Sequence, residues 1–279
     1  MIVWIDGALV PLDEARVSPL DHGLVVGDGV FETLRVYGGV PFAWRRHYER
    51  LAYSAAGLGL TVPPSSALRA AADAVLHANE AADARLRVTI TGGPSPPGSQ
   101  RDTAVAPTVF LVAAPLQAPA AVAAVVVTPW TRNERGACAG LKTISYAENV
   151  RALAWAEARG AHEALFCNTR GEVCEATGSN IFVVRDGVAT TPPADAGCLL
   201  GVTRNLLLEL GPHRGVAVEE RPVSNDDLIR ADEAFLTSTI REVQPIGTID
   251  GRRCGAAPGP VTRELAAAFR ALVARDLDP

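Results

Sequence analysis

Apolar residues along this chain keep changing period, and the changes follow no strict alternation. Leu86, Val88 and Ile90 alternate with Arg87, Thr89 and Thr91, the period of two that turns one face of a strand inward. Leu68, Ala71, Ala72, Val75 and Leu76 recur instead at helical spacing, entered through Ser65 and Ser66. Asp6-Gly7 between residues 2–5 and 8–10 predicts a tight hairpin, and Gly38-Gly39 predicts a second between 30–37 and 40–42. Further helices are predicted over 45–56, with Leu51, Ala55 and Leu58 on one face, over 146–159 and 206–210, and at the C-terminus, where Leu265, Phe269 and Leu272 share a face. Further strands are predicted over 108–113, 122–128, 163–167, 181–184 and 234–237. A doubly wound parallel sheet needs strand and helix in regular turn, so the predicted class is α+β, an irregular α/β arrangement.

The 279 residues suffice for two domains. Pro115-Leu116-Gln117-Ala118-Pro119 interrupts both helix and sheet, which predicts a domain over 1–115, a linker over 116–121 and a domain over 122–279. The Gly/Pro/Ser segment 92–99 is long enough to suggest a mobile or functional loop. With 26 Lys+Arg against 31 Asp+Glu the net charge is −5, and no basic excess points to nucleic acid. No apolar run reaches the length of a membrane span, and Asp6, Asp13 and Glu14 stand where a signal peptide would be basic and then apolar. A cytoplasmic location is expected. The five cysteines are scattered without a C-x-x-C pair, so neither a disulfide framework nor a zinc cluster is signalled, and no metal is expected.

The chain lacks the phosphate loop G-x-x-x-x-G-K-[ST], the nucleophile elbow G-x-S-x-G and the metal motif H-E-x-x-H. What it has is one lysine, Lys142, among 26 basic residues. Arginine neither forms a Schiff base nor shifts its pKa into the working range, so a lysine kept in the apolar segment Ala139-Gly140-Leu141-Lys142-Thr143-Ile144 points to an amine nucleophile and a carbonyl cofactor. Pyridoxal 5′-phosphate also requires a carboxylate toward its ring nitrogen, for which Glu175 is the candidate. Its phosphate requires a helix start with small or hydroxyl residues and an arginine. Gly201-Val202-Thr203, Thr237-Ser238-Thr239 and Arg50 offer these.

Together these segments resemble the class IV, fold-type IV pyridoxal-phosphate enzymes, over nearly the whole chain. The resemblance runs through Asp21-His22-Gly23-Leu24, Gly27-Asp28-Gly29-Val30-Phe31-Glu32, His47-Tyr48-Glu49-Arg50-Leu51, Leu141-Lys142-Thr143, the run from Glu175 to Phe182, Gly201-Val202-Thr203-Arg204 and Leu236-Thr237-Ser238-Thr239. It implies a small N-terminal α/β domain and a larger barrel-like C-terminal domain with the cofactor between them, in a homodimer. It also implies that Lys142 holds the cofactor as a Schiff base and moves the proton as acid and base. Glu175 then pairs with the ring nitrogen, Leu199 packs on the ring, and Arg50, Val202, Thr203, Ser238 and Thr239 bind the phosphate.

Within the family, Glu32 after Val30-Phe31 resembles the D-amino-acid transaminases, whereas the lyases look different there. The arginine with which D-amino-acid enzymes hold the substrate carboxylate is replaced here by Gly92-Gly93. Arg87, Arg101, Arg132 and Arg135 are the substitute cations, with Arg132 and Arg135 the favoured pair, and Tyr146 is placed to bring a phenol near the amine if its segment is helical. Phe31, Glu32, Arg132, Arg135 and Tyr146 are the candidate substrate contacts. The leading expectation is transfer of an amino group between D-amino acids, or (R)-amines, and 2-oxo acids. Second stands 4-amino-4-deoxychorismate lyase, and third an L-branched-chain transaminase.

Overall fold

The computed structural model describes all 279 residues, which divide into two units. The first comprises residues 1–117 with 141–146 and 277–279. Its elements are β1 (Ile2–Ile5), β2 (Ala8–Pro11), α1 (His22–Val26), β3 (Gly29–Tyr37), β4 (Val40–Pro41), α2 (Trp44–Gly57), α3 (Ser65–Ala78), β5 (Ala84–Thr91) and β6 (Val109–Pro115). The strands form one antiparallel sheet in the order β2-β1-β6-β5-β3-β4. Asp6 and Gly7 take φ of 43° and 102°, the positive values that a two-residue hairpin with native twist demands. Leu34, Val36, Leu86, Val88 and Leu111 bury the inward face of the sheet against Leu51 and Ala55 of α2 and Leu68, Ala72 and Val75 of α3. The first half of the 92–99 loop is pinned: His22 N–H donates to Gly93 C=O at 2.9 Å and Ser95 N–H to Leu20 C=O at 3.1 Å. Arg101 grips Asp28 at 2.8 and 2.5 Å and the Leu58 and Gly59 carbonyls at 3.0 and 2.9 Å.

Segment 141–146 departs from the expected division, which placed it wholly with the C-terminal residues. β4 covers only the Val36–Tyr37 end of the outer edge of β3, so the backbone groups of Gly29 to Phe31 lie open on that side. The lysine segment fills it: Phe31 N–H donates to Lys142 C=O at 3.1 Å, Ile144 N–H donates to Gly29 C=O at 2.9 Å, and Val30 and Thr143 form a bridge. Gly29 must be glycine for this approach, because a Cβ there would stand 2.7 Å from Ile90 O and 2.8 Å from Ile144 Cδ1.

The second unit comprises residues 118–140 and 147–276. It contains β7 (Ala123–Arg132), α4 (Ala147–Glu157), β8 (Glu163–Asn168), β9 (Val173–Ala176), β10 (Asn180–Arg185), β11 (Val188–Thr191), α5 (Val202–His213), β12 (Ala217–Glu220), α6 (Asn225–Ile229), β13 (Glu233–Ser238), β14 (Glu242–Ile249), β15 (Arg252–Arg253) and α7 (Pro260–Arg275). Its sheet runs β12-β11-β10-β13-β14-β7-β8-β9, with β15 on β14. The pairs β11/β12, β14/β7 and β7/β8 are parallel and the others antiparallel, the mixed class that the irregular order of periods implied. Ile181, Val183, Ala234 and Leu236 pack with Val125, Leu165 and Ile246 on one face, while Phe182 and Phe235 stack at 4.9 Å on the other, as alternation requires. No helix is long and apolar enough to cross a membrane.

Candidate active site

In the first unit the sequence-predicted residues gather around Phe31, which is 4% exposed. Lys142 Nζ stands 4.4 Å from the centroid of its ring, the Arg87 guanidinium carbon 3.8 Å, and the Tyr146 ring meets it edge to face at 5.3 Å. The segment from Lys142 to Tyr146 is not helical: α4 starts at Ala147, because 142–144 are committed to the edge of β3. The extended path still delivers the phenol to Phe31. Arg87 has Thr89 Oγ1 as its only hydrogen-bond partner, at 3.2 Å, and makes no ion pair, so its charge is available beside the lysine amine.

Glu32 is corrected from a substrate contact to a buried anchor. Strand alternation turns it to the face opposite Phe31, where Arg50 Nε and Nη2 donate to its two oxygens at 2.7 and 2.8 Å and His47 Nδ1 lies 2.7 Å away. Glu32 is 1% exposed; burial works against its charge, yet the Arg50 guanidinium charge and the hydrogen bonds from Arg50 and His47 hold it far below the usual carboxylate range. Burial pushes His47 below its ordinary value. Arg50 therefore stands in a fixed plane, with Glu32 occupying two of its five N–H donors. Arg101, considered as a substitute cation, is consumed by Asp28 and two carbonyls.

In the second unit, Glu175 lies within β9, paired with Phe166 of β8. Its Oε2 accepts the Leu199 N–H at 3.0 Å, and Asn180 Nδ2 donates to the Leu199 carbonyl at 2.7 Å. These two bonds place the segment from Leu199 to Gly201 that leads into α5. That helix begins without a side-chain cap at Gly201, Thr203 is 3% exposed with no side-chain hydrogen bond, and Val202 is buried. Thr237 Oγ1, at the end of β13, is likewise buried without a partner, and the Ser238 hydroxyl accepts from Arg241 N–H at 3.1 Å. An uncapped twelve-residue helix, unengaged buried hydroxyls and a placed carboxylate form a donor and acceptor set that fits a phosphorylated pyridine.

Arg132 and Arg135 do not form the expected cation pair. The Arg132 guanidinium is half-buried, 4.3 Å over the Phe166 ring, with Asn149 Oδ1 at 3.0 Å, Glu148 at 3.6 Å and Glu175 Oε1 at 4.0 Å. It is hydrogen-bonded to Asn149, with Glu175 at ion-pair distance. Arg135 is exposed in the turn beyond β7, where only its backbone N–H is engaged, by Asn133. Residue-type reasoning did not single out His47, Ser54 or Asn180. The helical spacing of His47, Arg50 and Ser54 along one face of α2 is the signal that could have found the first two.

The amino-transferase class IV family matches residues 29–249, the span from the first residue of β3 to the last of β14. The chain is a class IV aminotransferase. It is 34% identical to a branched-chain-amino-acid aminotransferase of Pseudomonas aeruginosa over 98% of this chain and 92% of that one. It is 33% identical to a D-alanine aminotransferase of Bacillus licheniformis, over 97% and 96%. The aminotransferase superposes with a TM-score of 0.92 on the branched-chain amino acid aminotransferase of Escherichia coli, at 29% identity, covering 97% of this chain and 94% of that one. A second branched-chain amino acid aminotransferase, complexed with N-(5′-phosphopyridoxyl)-L-glutamate, superposes with a TM-score of 0.90 at 30% identity, covering 98% and 93%. The cofactor of the aminotransferase is pyridoxal 5′-phosphate, as the resemblance implied.

Proposed function

We propose that this aminotransferase exchanges amino groups between branched-chain L-amino acids and 2-oxo acids, which moves the third sequence expectation ahead of the D-amino-acid one. The observation that carries the reading is the grouping around Lys142: an amine, an aromatic wall of Phe31 and Tyr146, and the guanidinium of Arg87. The wall suits an aliphatic side chain, and the cation suits the carboxylate of a substrate. The branched-chain name also recurs among its relatives and solved structures. The residues proposed to hold the cofactor are Lys142 and Arg50 in the first unit and Glu175, Leu199, Val202, Thr203, Ser238 and Thr239 in the second.

Bound pyridoxal phosphate supplies a carbonyl for the amine and a ring that accepts the electron pair released at the substrate Cα. The chain supplies the rest. Lys142 Nζ would hold the cofactor and, released from it, would carry the proton taken from the substrate Cα. Glu175 would hold the ring nitrogen, and Leu199 would line the ring. The start of α5 and the Thr203 hydroxyl donate to the phosphate, with Arg50 held in plane by Glu32. We further propose that the protein works as a homodimer in the cytoplasm, a reducing compartment in keeping with its five free cysteines.

Single-turnover half-reactions test this reading. The holoenzyme is mixed separately with L-leucine, D-alanine and (R)-1-phenylethylamine, and loss of the visible cofactor band is followed. L-leucine is expected to react at least about tenfold faster than either competitor, a barrier difference of about 1.4 kcal/mol. Faster conversion by D-alanine reinstates the D-amino-acid reading, and pyruvate release from aminodeoxychorismate without conversion by any amine establishes the lyase. Lys142→Ala is expected to lose the band, since no other lysine exists to replace it.

A further inference from the structure

Ser54 occupies an unusual place. It lies inside α2, fully buried on the apolar face between Leu51 and Ala55, where alanine would favour both the helix and the core. Buried polar groups persist where they have a partner, and a serine in mid-helix commonly turns its hydroxyl back to the carbonyl four residues earlier. Here the only partner of the hydroxyl is elsewhere: Ser54 Oγ accepts the backbone N–H of Lys142 at 3.0 Å, across 88 residues of chain.

That bond completes a frame around the lysine. Its C=O accepts from Phe31 N–H at 3.1 Å, the next strand bond joins Ile144 N–H to Gly29 C=O at 2.9 Å, and Ser145 Oγ donates to Gly27 C=O at 2.9 Å. On the N-terminal side Leu141 packs against Gly57, where a Cβ would come within 2.7 Å of Leu141 Cδ1. With both backbone groups of Lys142 bonded, the direction of its Cα–Cβ bond is set, and Nζ reaches its place 4.4 Å from the Phe31 centroid. Ser54 also stands four residues after Arg50, one helical turn on the same side of α2.

We propose that Ser54 is a positioning residue: α2 holds the lysine backbone through Ser54 and the Arg50 guanidinium one turn earlier, so that a single rigid helix sets the amine and the phosphate-binding cation in one frame. This rests on the reading of Lys142 as the cofactor amine. Misplacing a reacting group by an ångström costs rate far more than affinity, so the expected signature is a kcat effect.

The test compares Ser54→Ala and Ser54→Thr with the parent holoenzyme. Native-state hydrogen exchange at the Lys142 amide is expected to quicken about tenfold in Ser54→Ala, the worth of one lost hydrogen bond, while amides of β5 and β6 keep their protection. The half-reaction rate constant is expected to fall about tenfold with KM changed less than twofold, the isotope effect from α-deuterated substrate to rise, and Ser54→Thr to recover most of the loss. Exchange at Lys142 and the half-reaction rate both within twofold of the parent would overturn the proposal, as would uniform loss of protection across the sheet. If Ser54→Ala does not fold, Ser54→Cys, similar in shape with a weakly accepting sulfur, carries the same comparison. The exchange arm reads the backbone bond directly, so it stands apart from the identity of the substrate, and Lys142→Ala retaining the visible band would defeat the underlying reading alone.

Discussion

Glu32 and His47 share a site where water does not reach, and their protonation states set how the protein answers to acid. The Glu32 carboxylate titrates well below its ordinary value in the folded state, because Arg50 and His47 outweigh the effect of burial. Its stabilising contribution is therefore fully present above the unfolded value, about pH 4.5, and is lost as pH falls toward the folded one. His47 is held neutral below its ordinary value by burial, so it begins to cost stability below about pH 6.5, where the unfolded chain binds the proton more readily. Asp28, depressed by Arg101 and His22 against the effect of burial, adds to the loss at low pH. Melting temperature is expected to fall gently from about pH 6.5 and steeply below about pH 4.5. Glu32→Gln, which leaves Arg50 and His47 without their anion, is expected to lose about 3–5 kcal/mol at pH 7 and to show a shallower fall below pH 4.5 in calorimetry. A parallel curve for this variant would show that Glu32 is not the group titrating. Glu32 was legible in the sequence as a residue that matters, yet its role was misread: alternation along 30–37 already turns Glu32 away from Phe31, and only the helix packed on that face supplies its partners.

At the scale of elements, periodicity marked the long helices α2, α3, α5 and α7, none of which starts on a side-chain cap of its own. α7 has Gly259 at its start, which offers no side chain; Glu233 of β13 accepts the N–H groups of Val261 and Thr262 at 3.0 and 2.8 Å and the Thr262 hydroxyl at 2.6 Å. A carboxylate against the positive end of a sixteen-residue helix is favourable in charge as well as hydrogen bonding. Glu233→Ala is expected to destabilise the second unit by about 2–3 kcal/mol, and Glu233→Gln by less than half of that, measured by urea unfolding. Equal losses from the two variants would show that side-chain volume rather than charge is what α7 needs. The short elements α1, α6, β9, β11, β12 and β15 escaped the sequence reading because such pieces carry too few periods to register, and the eight-residue β14 because Pro245 and Gly247 interrupt its strand pattern; the sheet creates these strands by offering a neighbour.

At the scale of the molecule, α1 leaves apolar side chains in water. Leu20, Leu24, Val25 and Val26 are 46, 69, 45 and 45% exposed, next to the Asp21 and His22 that are buried beneath them. A run of exposed aliphatic residues on an ordered, short helix marks a contact surface, and the proposed second copy of the chain is its expected occupant. Leu24→Glu is expected to shift the protein from dimer to monomer in sedimentation equilibrium at micromolar concentration; a dimer unchanged in affinity would place the interface elsewhere. The sequence signalled association only through family resemblance, because an apolar residue destined for a partner looks in sequence like one destined for the core.

The sequence alone determined the chemistry available to this protein. One lysine in a chain otherwise supplied with arginine, a carboxylate in a small-residue run and a Gly-Val-Thr helix start with its hydroxyl are properties of residue type and order, and they point to a phosphorylated carbonyl cofactor. The tertiary structure decided the geometry in which that chemistry is held. It moved the lysine segment onto the open edge of β3, gave its N–H to a serine 88 residues earlier, turned Glu32 into the anchor of Arg50, and drew Arg132 to Glu175. The physical reason is that hydrogen bonds and ion pairs between distant residues depend on which edges and faces the folded sheets leave open, and residue periodicity describes only the face that each element buries.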